Sequence, residues 1–318
     1  MGYENVFKCF PTVIIRELNT IEDEKILTEL EEIRIRLNLP IALKISDKEL
    51  ILNHVTSREE INYILQKICE NSLYSYQSQI ANGYITINGG HRVGVVGSAV
   101  VRDGQVTNLN YISGLNFRIS RQVKNCSDGI INYILNISLN NIYNTLIISP
   151  PGVGKTTLLR DITRRISNGE KHEKWLFSGI NTTVIDERGE IGACYKGIPQ
   201  NDLGIRTDIF DDMPKAIGMR MAIRSMAPKV IVADEIGSME DVEVIKYAVC
   251  CGVKGIFTAH GSNIDDVLIN PAISILIKSK IFEKVVFLKG RNKNAFVADI
   301  YGIDKEKEKY VLENWIWF

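Results

Sequence analysis

Ser149-Pro150-Pro151-Gly152-Val153-Gly154-Lys155-Thr156-Thr157 joins a turn of small residues to a lysine and two hydroxyls. Successive backbone N–H groups in such a turn, with the start of a helix behind them, form a concave positive site that suits a triphosphate. Lys155 is placed to reach the β- and γ-phosphates, and the Thr156 hydroxyl to take one position on a Mg²⁺ ion. Ser149 stands where the usual Gly-x-x-x-x-Gly-Lys-[Ser/Thr] pattern begins with glycine. The expected ligands are ATP and Mg²⁺.

Hydrolysis needs more than a cradle, and three further segments carry the remaining groups. Lys229-Val230-Ile231-Val232-Ala233-Asp234-Glu235 is an apolar run ending in two carboxylates. Asp234 suits Mg²⁺, held through water, and Glu235 suits a water molecule that must be polarised. Val184-Ile185-Asp186-Glu187-Arg188-Gly189-Glu190 ends in a second acidic cluster. There Glu187 or Glu190 could order the metal or the water, while Arg188 could be neutralised in a local ion pair. Gly255-Ile256-Phe257-Thr258-Ala259-His260-Gly261 ends in a polar pair, of which Thr258 or His260 could sense the γ-phosphate. An added cation at that phosphate is worth roughly 10³–10⁵ in rate. Arg220 and Arg224 share one helix face, Arg206 precedes them in a loop, and Arg118 and Arg121 lie nearer the N-terminus.

These groups converge only if strands and helices alternate. From Asn144 onward they do, with strands expected at Thr145–Ser149, Thr182–Asp186, Val230–Asp234, Gly255–Ala259 and Lys284–Leu288, and an edge strand at Ala295–Tyr301. Helices are expected from Leu158 to about Ile166, at Pro214–Ser225 and at Met239–Cys250. Such alternation predicts a largely parallel sheet covered by helices, whose ligands bind at the C-terminal strand ends. Residues 20–75 mix helical and short strand patterns. Ser57-Arg58-Glu59-Glu60 reads as a capping box before a helix bearing Ile61, Ile64, Leu65 and Ile68. Hairpins follow, punctuated by Asn88-Gly89-Gly90 and Asp103-Gly104, and Phe117–Arg121 reads as a last strand. The expected division is an N-terminal α+β domain over 1–115, a linker over 116–140 and an ATPase core over 141–318. The Asp304–Lys309 run is expected as a solvated turn before an apolar C-terminal end packed on the core.

Composition sets the outer limits. The chain has 318 residues, enough for two domains, with 45% hydrophobic and 24% charged residues and zero formal net charge. Zero net charge favours neither nucleic acid nor an acidic membrane surface. Six cysteines without zinc-like spacing fit a reducing cytoplasm. No apolar run approaches the roughly 20 residues of a membrane span, and no signal-peptide core is evident at the N-terminus. Membrane association is therefore expected only through partners.

Taken together, the phosphate loop, the acidic box at Asp186–Glu190, Asp234-Glu235 and the histidine at His260 resemble the type II and type IV secretion superfamily of ATPases. Glu32-Ile33-Arg34-Ile35-Arg36 and Gly83-Tyr84-Ile85-Thr86-Ile87-Asn88-Gly89-Gly90-His91-Arg92-Val93-Gly94 are similar to a divergent, sporulation-associated branch. The resemblance implies a RecA-like core, with a strand between the phosphate-loop strand and the Asp234 strand, and a smaller mixed α+β N-terminal domain. It also implies a hexameric ring with nucleotide at subunit boundaries, where the five arginines above are candidates to reach a neighbour's phosphates. The implied role is ATP hydrolysis in a mother cell, energising a membrane-embedded channel complex, with contact at the inner membrane through partners. Departures are Gly261-Ser262-Asn263 after His260, Ala227-Pro228-Lys229 before the Asp234 strand, and the lack of a four-cysteine zinc site. Two other readings are a nucleic-acid-dependent ATPase and a nucleotide-locked scaffold without turnover.

Overall fold

A computed structural model describes residues 3–21, 24–46, 48–292, 295–304 and 309–317. It divides into two compact units, residues 1–121 with Ala193–Gln200, and residues 122–192 with 201–318. The range expected for the ATPase core thus contains one segment, Ala193–Gln200, that is compact with the first unit.

The first unit is built on strands β1 (Leu30–Arg36), β2 (Pro40–Ile45), β3 (Lys48–Val55), β4 (Tyr84–Ile87), β5 (His91–Arg102) and β6 (Gln105–Arg118). They pair antiparallel in the order β3-β2-β1-β6-β5-β4. Ile33 and Ile35 of β1 alternate inward with charged neighbours outward, the period of a half-buried strand. They pack in one core with Phe117, Leu43 and the inner face of helix α1 (Arg58–Ile68). The expected capping box is present: Glu60 N donates to Ser57 Oγ at 3.2 Å, and Ser57 N donates to the Glu60 carboxylate at 2.8 Å.

The turn between β4 and β5 explains its glycines. Gly89 and Gly90 have φ of +90° and +73°, where a side chain is strained. A Cβ on Gly90 would lie 3.0 Å from Ala193 Cβ and 3.1 Å from Gln200 Cβ. Gln200 Oε1 accepts from Gly89 N at 2.8 Å, and Lys196 Nζ reaches Glu70 at 2.5 Å. The glycine pair therefore lets the Ala193–Gln200 tongue seat against the turn.

The second unit carries β7 (Thr145–Ser149), β8 (Thr182–Asp186), β9 (Thr207–Asp211), β10 (Val230–Ala233), β11 (Lys254–His260), β12 (Lys284–Asn292), β13 (Ala295–Asp304) and β14 (Lys309–Trp317). Their order is β9-β8-β10-β11-β7-β12-β13-β14. The pairs from β9 to β12 are parallel, and β13 and β14 extend the sheet antiparallel. β11 lies between the phosphate-loop strand β7 and β10, as the resemblance implied. Two details differ from the expectation. β9 was not foreseen, because Thr207–Asp211 is short, polar and only half buried. Ala295–Tyr301 is not the edge, since β14 pairs outside it. The charged run between these two strands falls partly on 305–308, outside the described residues.

Central strands of this sheet are buried on both faces, which is why they read as continuous apolar runs. Ile147, Val184, Val232 and Ile256 face helix α2 (Lys155–Asn168) through its Leu158, Leu159 and Ile162. Leu146, Ile148, Ile231 and Phe257 face the other way. They pack against α3 (Lys215–Ser225), α4 (Met239–Cys250) and α5 (Pro271–Lys278).

Candidate functional site

Register brings the predicted groups to one sheet edge. His260 is paired with Ser149, and Ile185 with Ala233, so Asp186 and Asp234 follow side by side at neighbouring strand ends. The phosphate loop turns between β7 and α2 through Gly152 and Gly154, at φ of +78° and +108°, conformations that glycine tolerates. Ser149 is buried, and its hydroxyl donates to Pro150 O at 2.8 Å. A serine therefore fits the first loop position.

Lys155 is buried in the loop it closes. Its ammonium donates to Ser149 O at 3.0 Å and to His260 Nδ1 at 3.1 Å. An ammonium has no acceptor, so Nδ1 must accept and the imidazole proton sits on Nε2. That nitrogen donates to Glu235 Oε1 at 2.8 Å. The other Glu235 oxygen, Oε2, is paired with the Arg188 guanidinium. Burial pushes Lys155 below the usual lysine range, against the opposing pull of Asp234 and Glu235.

The two residues expected to hold a metal are in contact. Thr156 Oγ1 donates to Asp234 Oδ2 at 2.7 Å, while the Thr258 hydroxyl donates to Asp234 Oδ1. Glu235 N donates to Thr258 Oγ1 at 2.9 Å and to Asp234 Oδ1 at 3.0 Å. These bonds hold Glu235 at φ +50°, a left-handed conformation that costs a non-glycine residue about 1–3 kcal/mol. Thr258 and His260, posed as alternatives by sequence, act at separate points: Thr258 on Asp234, His260 between Lys155 and Glu235.

In the acidic box, Asp186 is a loop organiser. Its carboxylate accepts from Glu190 N at 2.9 Å and Gly192 N at 2.8 Å. Glu187 pairs with Lys215. Asp186, Glu187, Arg188, Glu190, Asp234 and Glu235 line one small cleft. Arg220 and Arg224 do not line it. Arg220 is half exposed, 3.7 Å from Glu243, and Arg224 is exposed on the same helix. Arg206 donates to Ser167 O and Asn168 O, so it ties a helix end. Arg121 donates to Leu30 O, and Arg118 is exposed, both in the first unit.

Sequence reasoning missed Arg160, one turn beyond Thr156 on α2. Its Nε is buried without a hydrogen-bond partner. Burial lowers its pKa, against the charges of Glu190, Asp186 and Asp234. The signal was available, because residues four apart on a helix share a face. Asp161 was missed too: it accepts from Ser127 Oγ at 2.6 Å, from the N–H groups of Asn125 and Ser127, and from Arg164.

Comparison with known proteins bears on the fold and the family. The ATPase DotB of Legionella pneumophila superposes with a TM-score of 0.60 at 17% identity, covering 93% of this chain and 82% of DotB. The pilus retraction motor PilT, solved with bound ADP, gives 0.53 at 13% identity, over 92% of this chain and 82% of PilT. At such identities the likeness establishes the fold alone, a RecA-like core with a smaller mixed α+β N-terminal domain. Stage III sporulation protein AA of Bacillus subtilis (strain 168) is 37% identical over 299 residues, 94% of this chain and 95% of that protein. The family described as "Sporulation stage III, protein AA" matches residues 4–309. With nearly the whole chain matched, it belongs to the sporulation stage III protein AA family.

Proposed function

We propose that this chain is an ATP-hydrolysing motor of the secretion-ATPase type that energises a sporulation-associated channel complex. One observation carries the reading: Lys155, His260 and Glu235 form one hydrogen-bonded chain beside the Thr156–Asp234 pair. On this reading a phosphate cradle, a metal-suited pair and a carboxylate base would share one edge of the sheet. The hydroxyl of Thr156 and carboxylate of Asp234 are hard oxygen donors, the type Mg²⁺ takes together with phosphate oxygens. When bound, the ion would neutralise charge on the β- and γ-phosphates.

In the proposed reaction Lys155 leaves His260 for the phosphates. Glu235 takes a proton from a water molecule whose oxygen forms a bond to Pγ. The bond from Pγ to the β–γ bridging oxygen breaks, and ADP leaves with that electron pair. Glu187 and Glu190 order the water or metal from the acidic box, and His260 reports the state of Lys155 to Glu235.

A homo-oligomeric ring, hexameric by resemblance, would place exposed Arg220 and Arg224 where a neighbouring copy could use them. No helix among the described residues is long and apolar enough to cross a membrane. The proposed location is the mother-cell cytoplasm, with inner-membrane contact through channel proteins.

Steady-state hydrolysis across a protein concentration series, with Lys155→Ala as control, tests the reading. Activity that rises with concentration and vanishes in the variant is expected. Nucleotide binding without turnover at any concentration, alone or with membrane partners, would leave a structural nucleotide and reject the motor.

A further inference from the structure

Glu235 is an unusual base as it stands, because both its oxygens are already engaged. Oε1 accepts from His260, and Oε2 is paired with Arg188. Before it can take a proton from water, a partner must leave. The two partners differ in where they sit, although both side chains are about half exposed or more. His260 is fixed at the end of β11, beside Ser149. Arg188 projects from the loop after β8 with 62% of its side chain exposed, while Glu235 is only 22% exposed.

That loop is itself firmly built. Asp186 draws the N–H groups of Glu190 and Gly192 inward, and Gly189 takes φ +60°. Arg188 is thus a long, exposed cation on a fixed backbone. Its guanidinium lies at one end of the contact chain Lys155–His260–Glu235–Arg188, whose other end is the phosphate-binding lysine. Three other arginines of this unit hold structure: Arg164 binds Asp161, Arg165 binds Glu170 and Asp128, and Arg206 binds backbone carbonyls.

We propose that Arg188 is a catalytic cation acting within its own subunit, capping Glu235 before substrate arrives and moving onto the γ-phosphate of bound ATP. The fork of a guanidinium matches two phosphate oxygens better than a lysine does. Its transfer would place positive charge where the transition state needs it and release Glu235 for the water proton. Triphosphate binding and activation of the base would then be one event. A diphosphate, lacking the γ-group, would leave the cap in place.

This inference rests on the ATPase reading but can fail separately, because its main test needs no turnover. The affinities of the full-length protein for ADP and for the non-hydrolysable imido analogue of ATP are measured in wild type, Arg188→Gln and Arg188→Lys. For Arg188→Gln the analogue should weaken roughly tenfold or more, as a lost charge-assisted contact predicts, with ADP changed less than twofold. Arg188→Lys should recover part of the loss. In turnover, kcat of Arg188→Gln should fall at least about a hundredfold. Equal weakening of ADP and analogue, with a lowered melting temperature, would make Arg188 structural and overturn the proposal. Unchanged or faster turnover would also overturn it, leaving Arg188 a restraint on Glu235 alone.

Discussion

Lys155 Nζ lies 3.1 Å from His260 Nδ1, so the lysine of the Ser149–Thr157 loop is hydrogen-bonded to the imidazole that holds Glu235. Burial depresses the Lys155 pKa below its usual 10.5, and Asp234 and Glu235 only partly offset that. Between the lowered value and 10.5, the free protein has lost a proton that the unfolded chain still holds. Stability from this group therefore rises with pH across that window. Bound phosphates favour the charged ammonium and should restore the proton. Nucleotide binding in that alkaline window is expected to take up protons, and affinity to fall as pH rises. Calorimetry in two buffers of different ionisation enthalpy reads the uptake directly. Lys155→Arg should abolish it, since arginine does not titrate there. Identical heats in both buffers for wild type would sink the assignment.

Asp161 offers a stability test away from the chemistry. Burial raises its pKa, but bonds from Ser127, Arg164 and the N–H groups of Asn125 and Ser127 outweigh that and hold it below the usual 3.8. Its contribution is therefore complete above 3.8 and is lost as pH falls through the lower folded value. Asp161→Ala leaves two backbone donors without their partner and strips Arg164 of its carboxylate, leaving it only Asn125 Oδ1, at a cost of about 3–5 kcal/mol. Chemical denaturation at neutral pH should show that loss, and the variant should lack this residue's share of the acid sensitivity. A change below 1 kcal/mol would mean that this network has no more weight than an exposed ion pair.

The parts legible in the sequence were those whose chemistry is local. Ser149–Thr157 needs only its own turn and helix start, and the apolar runs at β7, β8, β10 and β11 need only two buried faces. What the residues alone did not give was lateral order, part of which came only through the family resemblance. Arg188 and Glu235 stand at the ends of neighbouring strands β8 and β10, and nothing in either segment announces the other. The same blindness hid the tongue Ala193–Gln200. Its seat depends on a contact with Gly90, far away in sequence, so that glycine read only as a turn. Mixed helical and short strand patterns over residues 20–75 blurred residues 30–55, which form three antiparallel strands.

Thr258 tests whether Glu235 must be held in its left-handed conformation. Thr258 is fully buried, donates to Asp234 Oδ1 and accepts from Glu235 N at 2.9 Å. Thr258→Val keeps the shape and removes both bonds, leaving Glu235 N with only the 3.0 Å bond to Asp234. A lost buried hydrogen bond costs about 1–3 kcal/mol, comparable to the strain at Glu235, so the carboxylate should drift from its position. Misplacing a reacting group by even 1 Å can cost on the order of a hundredfold in rate. Lys155 and the loop glycines are untouched, so ADP affinity should stay within roughly twofold, on the principle that removing a transition-state contact alone spares ground-state binding. Thr258→Ser restores both bonds and should recover most of the rate. Matching losses of rate in the valine and serine variants would show that the methyl packing of Thr258 matters, and that its hydroxyl does not position Glu235.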